Sequence, residues 1–219
     1  MNSPFKKTSF RKTSQFLMPG IKTSPPEAGK YDIYPVFEIG KGRIFRGIGT
    51  LAEKIAREKM VIIDGFEGVF FNLLREDLDA LFKRDYNIEF KWIDTYYFFK
   101  PEKVIGEMIL PFLGDDDPIF GTRTSLTLKD FLEPDKLNSK QRSDPEYPCI
   151  IYGPGASLFS DKGLLIYMDL PKNELQFRSR AGTVTNLGAS VPSDPKSMYK
   201  RFYFVDWVVL NRHKKDILD

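Results

Sequence analysis

The feature that most constrains this chain is the run Val61-Ile62-Ile63, followed at once by Asp64, Gly65, Phe66, Glu67 and Gly68. Three consecutive β-branched residues without polar alternation suit a strand buried on both faces of a parallel sheet. Behind the glycine turn, Phe70, Leu73, Leu74, Leu78 and Leu81 recur at helical intervals through about Lys83. The alternation then repeats. Residues 88–93 (IEFKWI) predict a strand, 101–113 a helix opened by Pro101, and 127–133 a short helix capped near Ser125 or Thr127. Residues 149–152 and 164–168 predict strands and 171–180 a helix. Upstream, Leu51, Ala52, Ile55 and Ala56 predict a short helix with Thr50 as N-cap and Glu53 completing a capping box. The closing stretch reads as a strand at 202–205 and a terminal helix at 207–218. The expected fold is α/β in three layers, a mostly parallel sheet flanked by helices, with no internal repeat.

Composition narrows the function classes. With 219 residues, 42% of them hydrophobic, the chain can bury the core of one ordinary domain. Order is expected over residues 31–219. Residues 1–30 hold six Lys and Arg against Glu27 alone and read as a disordered basic leader, which leaves the rest of the chain slightly acidic. The leader lacks the aromatic platform on which single-stranded nucleic acid stacks, so nucleic acid is not an expected partner. It also lacks the apolar stretch of a secretory signal, and no run approaches the ~20 apolar residues of a membrane span. The expected compartment is the cytoplasm. His213 is the one histidine, which excludes a zinc centre built on several imidazoles. It lies in a basic stretch near the end of the last helix, where positive charge complements the helix dipole. Cys149 precedes an apolar strand without a nearby histidine and reads as core.

In parallel sheets ligands bind beyond the carboxyl ends of the strands. The residues to read are therefore 64–68, 94–97, 153–156 and 169–172, although strand-to-helix turns favour Gly and Asp for backbone reasons alone. A P-loop would begin at Gly65, but its spacing puts Phe70, Phe71 and Asn72 where the last glycine, the lysine and the hydroxyl belong. Backbone amides can still hold an anion without those side chains. Gly65, Phe66, Glu67 and Gly68 are the candidates, with Glu67 opposing a phosphate in the turn. Asp94, trailed by Tyr96 and Tyr97, is a candidate general base for a hydroxyl, or else a capping aspartate. Asp115, Asp116 and Asp117 read as a solvated turn rather than a magnesium site. Arg178 and Arg180 either close over phosphates or pair with surface acids.

Several blocks together resemble one family: YDIYPV at 31–36, VIIDGFEGV at 61–69, PFLGDDDPIFG at 111–121, LPKNELQFRSRAG at 170–182, TNLGAS at 185–190 and KRFYFVDWVVLNRHK at 200–214. They are similar to the N-terminal, non-cupin half of the long class I mannose-6-phosphate isomerase proteins of Bacteroides-type bacteria, over residues 31–218. The resemblance implies a degenerate fold of the P-loop nucleoside-kinase type, similar to uridine kinase. It puts residues 64–69 at the P-loop, Asp94 as base, and Arg178 and Arg180 in the lid. In that family the metal-dependent isomerisation belongs to the cupin half, whose several histidines a chain with His213 alone cannot supply. The implied function is therefore a non-catalytic or regulatory domain that binds a phosphorylated sugar or a nucleotide, the latter with magnesium. Its partner would be a cupin-type isomerase domain or chain, onto which the aromatic C-terminal stretch could dock. The alternative is a residual nucleoside or sugar kinase with Asp94 as general base.

Overall fold

A computed structural model of the chain describes residues 10–13, 29, 39–114, 117, 120–138 and 147–218. Four strands, β1 (Met60–Gly65), β2 (Lys91–Asp94), β3 (Cys149–Tyr152) and β4 (Leu164–Met168), form one all-parallel sheet in the order β2-β3-β1-β4. In the register, Ile62 of the central β1 faces Ile151 on one side and Leu165 on the other. Each apolar run alternates between two cores because successive side chains of a strand point to opposite faces. Val61, Ile63, Ile150 and Tyr152 pack with α1 (Ile48–Ile55) and α2 (Phe71–Leu81) on one face. Ile62, Cys149 and Ile151 pack with α3 (Glu102–Ile109) on the other. That second face also takes residues from α5 (Lys172–Ala181), α6 (Pro195–Arg201) and α7 (Trp207–Leu218), while the five-residue α4 (Pro134–Asn138) lies between α3 and β3 in the chain. The α/β, helix-flanked parallel sheet is as expected, and Cys149 is fully buried.

Some local expectations differ. The aromatic run at 202–205 is not a strand: α6 continues through a π-helical turn, Phe202–Asp206, directly into α7. An apolar run of four cannot distinguish a strand from a buried helical turn. Here the buried positions Met198, Phe202, Val205, Val209 and Leu210 recur at helical spacing. Helix α1 starts at Ile48 with Gly47 as its N-cap, so Thr50 lies inside it and its capping box is not formed. A true capping box forms at Thr127 and Asp130, where each supplies an acceptor for the other's amide. Strand β2 starts three residues late because Phe90 drops into the core beside Phe82, their rings 4.7 Å apart, before sheet pairing begins.

Asp115 and Asp116 lie outside the described residues. Asp117 behaves as a turn acid, accepting from the Phe120 amide at 3.0 Å. The expected leader likewise lies outside the described residues apart from 10–13 and Gly29. Among the described residues no helix is long and apolar enough to cross a membrane.

The connection leaving β1 enters α2 on one face, whereas those leaving β3 and β4 run to the other face. Such divergence opens a crevice at the carboxyl end of the strand where it occurs, here β1.

Candidate functional site

Two buried acids meet at that end of β1. Asp64 is fully buried and takes five donors. Its Oδ1 accepts from the amides of Gly65 at 2.7 Å and Gly155 at 2.9 Å. Its Oδ2 accepts from the Ser157 amide at 2.9 Å and the Ser157 hydroxyl at 2.6 Å, and lies 2.9 Å from His213 Nε2. Burial pushes the Asp64 carboxyl up, but the His213 contact and charge and the Ser157 donors outweigh it and hold the group below its ordinary value. His213, expected to complement the dipole at the end of the last helix, is instead buried at 5% exposure and ties α7 to β1. Asp64, Ser157 and His213 are the residue types of a hydrolytic triad but not its geometry. A relay needs the ring to meet serine through one nitrogen and the acid through the other. Here Nε2 faces both, with Ser157 Oγ at 3.3 Å, and the serine proton is directed at Asp64 itself. In this arrangement the cluster fastens three chain segments together.

Glu67, three residues on, is 1% exposed, and neither of its carboxyl oxygens has a hydrogen-bond partner among the described residues. Beside it lies Asp206, fully buried, which accepts from Asn186 Nδ2 at 2.7 Å and Arg201 Nε at 3.2 Å. Burial, reinforced by the Asp206 charge, raises Glu67 well above the ordinary carboxylate range. That shift favours the neutral acid, which opposes an anion less than the ionised glutamate the sequence suggested.

The expected amide cradle narrows for a related reason. The Gly65 amide is engaged by Asp64, the Phe66 amide donates to Met168 O at 2.9 Å, and the Phe66 and Glu67 side chains fill the corner. Of Gly65, Phe66, Glu67 and Gly68, only Gly68 borders open space. Its φ of +81° and the Leu175 side chain pressed against its Cα admit no Cβ.

That space is a cavity of about 250 Å³ lined by Gly68, Phe70, Asn72, Leu73, Asp94 and Thr183, among others. It is bounded by the start of α2, whose N-cap Phe70 supplies no side-chain acceptor, so the Asn72 and Leu73 amides have none among the described residues. Asp94 faces it from the end of β2. One oxygen of Asp94 accepts from the Tyr96 amide at 2.9 Å and the other from the Tyr152 hydroxyl at 3.2 Å, and that hydroxyl also accepts from Arg75 Nη1 at 3.2 Å. Asp94 is thus both a capping aspartate and a carboxylate oriented toward the cavity. Arg178 braces the wall: it donates to Gly68 O at 2.6 Å and Glu174 Oε1 at 2.9 Å, with its guanidinium 4.2 Å from the centre of the Phe70 ring.

Arg180 does not join this group. Two positions on along α5, it turns into a separate cavity of about 400 Å³ between α5 and α6, with Lys196 and Tyr199. The structure thus gathers Gly68, Asp94 and Arg178 and leaves Arg180 apart. Sequence reasoning missed Tyr152, Ser157, Thr183 and Asp206. For Asp206 a signal existed: one acid inside the apolar run at 202–210 must be buried with partners. Among the described residues no group of three or more His, Cys, Asp or Glu is placed to hold a metal ion.

Fold and cavity together define a parallel α/β domain with a small, mainly apolar cleft carrying a few polar groups at the carboxyl edge of its sheet. Residues 47–219 match the family described as Domain of unknown function (DUF8485), and the chain belongs to that family. No curated protein and no solved structure matches it.

Proposed function

We propose that this chain is a non-catalytic ligand-binding domain for a small phosphorylated metabolite, seated in the cavity between α2 and Asp94. The observation that carries the reading is the pairing of opposite chemistries across one cleft. The Asn72 and Leu73 amides at the positive end of α2 suit a phosphate, and the oriented Asp94 carboxylate suits a hydroxyl. Ligand size follows from volume. Pockets for drug-sized ligands start at about 300 Å³, so a cavity of about 250 Å³ favours a sugar phosphate over a nucleotide. The resemblance to the non-cupin half of mannose-6-phosphate isomerase proteins supports the same ligand class and a cupin-type isomerase as partner.

The second reading, a residual nucleoside or sugar kinase with Asp94 as base, is favoured by the placement of Asp94 in the cleft. Phe70, Phe71 and Asn72 do not fit a magnesium nucleotide, since they offer neither the lysine for the phosphates nor the hydroxyl for the metal. No transfer step is derived through it.

Thermal melting with mannose 6-phosphate, glucose 6-phosphate and a nucleoside monophosphate tests the proposal. A true ligand at a hundred times its Kd stabilises by about 2.7 kcal/mol, and Asp94→Asn should weaken that response. Absence of any shift with all three would sink the binding reading. ATP turnover that Asp94→Asn abolishes would replace it with the kinase.

A further inference from the structure

Residues 10–13 fall in the stretch whose composition suggests a solvated leader, yet they sit on the body of the domain. The Phe10 ring lies 4.8 Å from that of Phe70, and the Phe10 carbonyl accepts from Thr183 Oγ1 at 2.9 Å. Phe70 and Thr183 both line the cavity at the start of α2. The next residue extends the contact. Arg11 Nη1 is 3.2 Å from Glu174 Oε2, and its guanidinium lies 5.6 Å from the centre of the Phe177 ring, both on α5. Glu174 in turn holds Arg178, which donates to Gly68 O in the cavity wall.

These are four contacts of different kinds: a ring pair, a main-chain acceptor, an ion pair and a cation over a ring. They converge on one rim from a segment 173 positions away in the chain from Thr183. A surface ion pair alone contributes little. However, the ring contacts bury apolar area, and Thr183 offers its hydroxyl to one particular carbonyl. The partner chemistry is specific too, since an aromatic residue followed by a cation matches Phe70 followed by Glu174 and Phe177.

We propose that Phe10–Thr13 is a strap docked in cis across the rim of the cavity, and that it must lift for the cavity to open. The proposal rests on the reading of that cavity as the ligand site, but its test needs no ligand.

Leu73 lines the cavity and belongs to neither core, so Leu73→Cys places a thiol in the cleft, while native Cys149 is fully buried and silent. The rate at which Ellman's reagent modifies that thiol in the folded full-length chain reports opening. Combining Phe10→Ala with Arg11→Glu should raise the rate several-fold, whereas Lys12→Ala, at an exposed neighbour, should leave it unchanged. Hydrogen exchange at the Asn72 and Leu73 amides, measured without an introduced thiol, should accelerate in the same double variant. Equal labelling and equal exchange with and without the two substitutions would overturn the strap, whatever the sugar phosphates do. If labelling accelerates while no sugar phosphate or nucleotide binds either form, the strap stands and the ligand assignment fails.

Discussion

Asp64 and Glu67 leave the same strand three residues apart, are both almost wholly buried, and are shifted in opposite directions. Asp64 is held below its ordinary value because five donors converge on it, three of them from Gly155 and Ser157 beyond the turn after β3 that only Gly153 and Gly155 can make. Glu67 has no such donors, and burial together with the facing acid makes it hold its proton more tightly. Burial by itself therefore does not decide the direction for an interior carboxyl; donors and charges weigh against it, and the balance can still fall to burial, as at Asp206, which is raised despite donors from Asn186, Arg201 and Leu187. One acid acts as a structural fastener, and the other is a tolerated cost of filling the corner beside β1.

The contrast can be broken from either side. The largest effect is expected for Asp64→Ala, which strands His213 and four other donors and should destabilise the fold by about 4 kcal/mol in urea unfolding. His213→Ala removes one partner from a carboxylate that keeps its other donors, so about 2 kcal/mol should be lost in the same assay. Ser157→Ala removes the hydroxyl but not the amide and should cost about 1 kcal/mol. Glu67→Gln should act with the opposite sign, stabilising the protein by about 1 kcal/mol at pH 8, because a neutral amide beside Asp206 has no proton to lose as pH rises.

The pH dependence separates the two acids further. Asp64 is depressed in the fold, so its contribution is present above the unfolded carboxylate value of 3.8 and is lost as pH falls through the lower folded value. Glu67 is raised, so its neutral form supports the fold below 4.5, and that support is lost as pH climbs toward the folded value. Melting curves from pH 3 to pH 8 should therefore show a shallower acid limb in His213→Ala and a flatter alkaline limb in Glu67→Gln. If the alkaline limb of Glu67→Gln matches the parent, Glu67 is not the group that holds the proton.

The two halves of the comparison were unequally legible in the sequence. Strands β1, β3 and β4 could be read because each is an unbroken apolar run, and Gly68 and Asp94 because a ligand edge follows a strand end. The Asp64–His213 contact could not, since 149 residues separate its partners and His213 sits among cations that complement a helix dipole. Glu67 looks like an ordinary turn acid until Phe66 and the start of α7 close over it. The 202–205 run was misread for another reason: dense aromatics suit a strand and a core-facing helix equally, and only the neighbouring elements choose.

The π-helical turn at Phe202–Asp206 has a consequence for how the C-terminal region tolerates change in length. Such a turn accommodates one residue more than regular α-helical winding, and each residue of a helix advances the azimuth by about 100°. Because the wider turn absorbs that residue, a chain shortened by one position there would rewind as α-helix and leave His213 facing Asp64, whereas the loss of one residue from the regular helix before His213 would swing the imidazole about 100° away. A one-codon deletion within Phe202–Asp206 should thus be better tolerated than one between Trp207 and Arg212, which would leave the helix intact and unfasten it from the sheet.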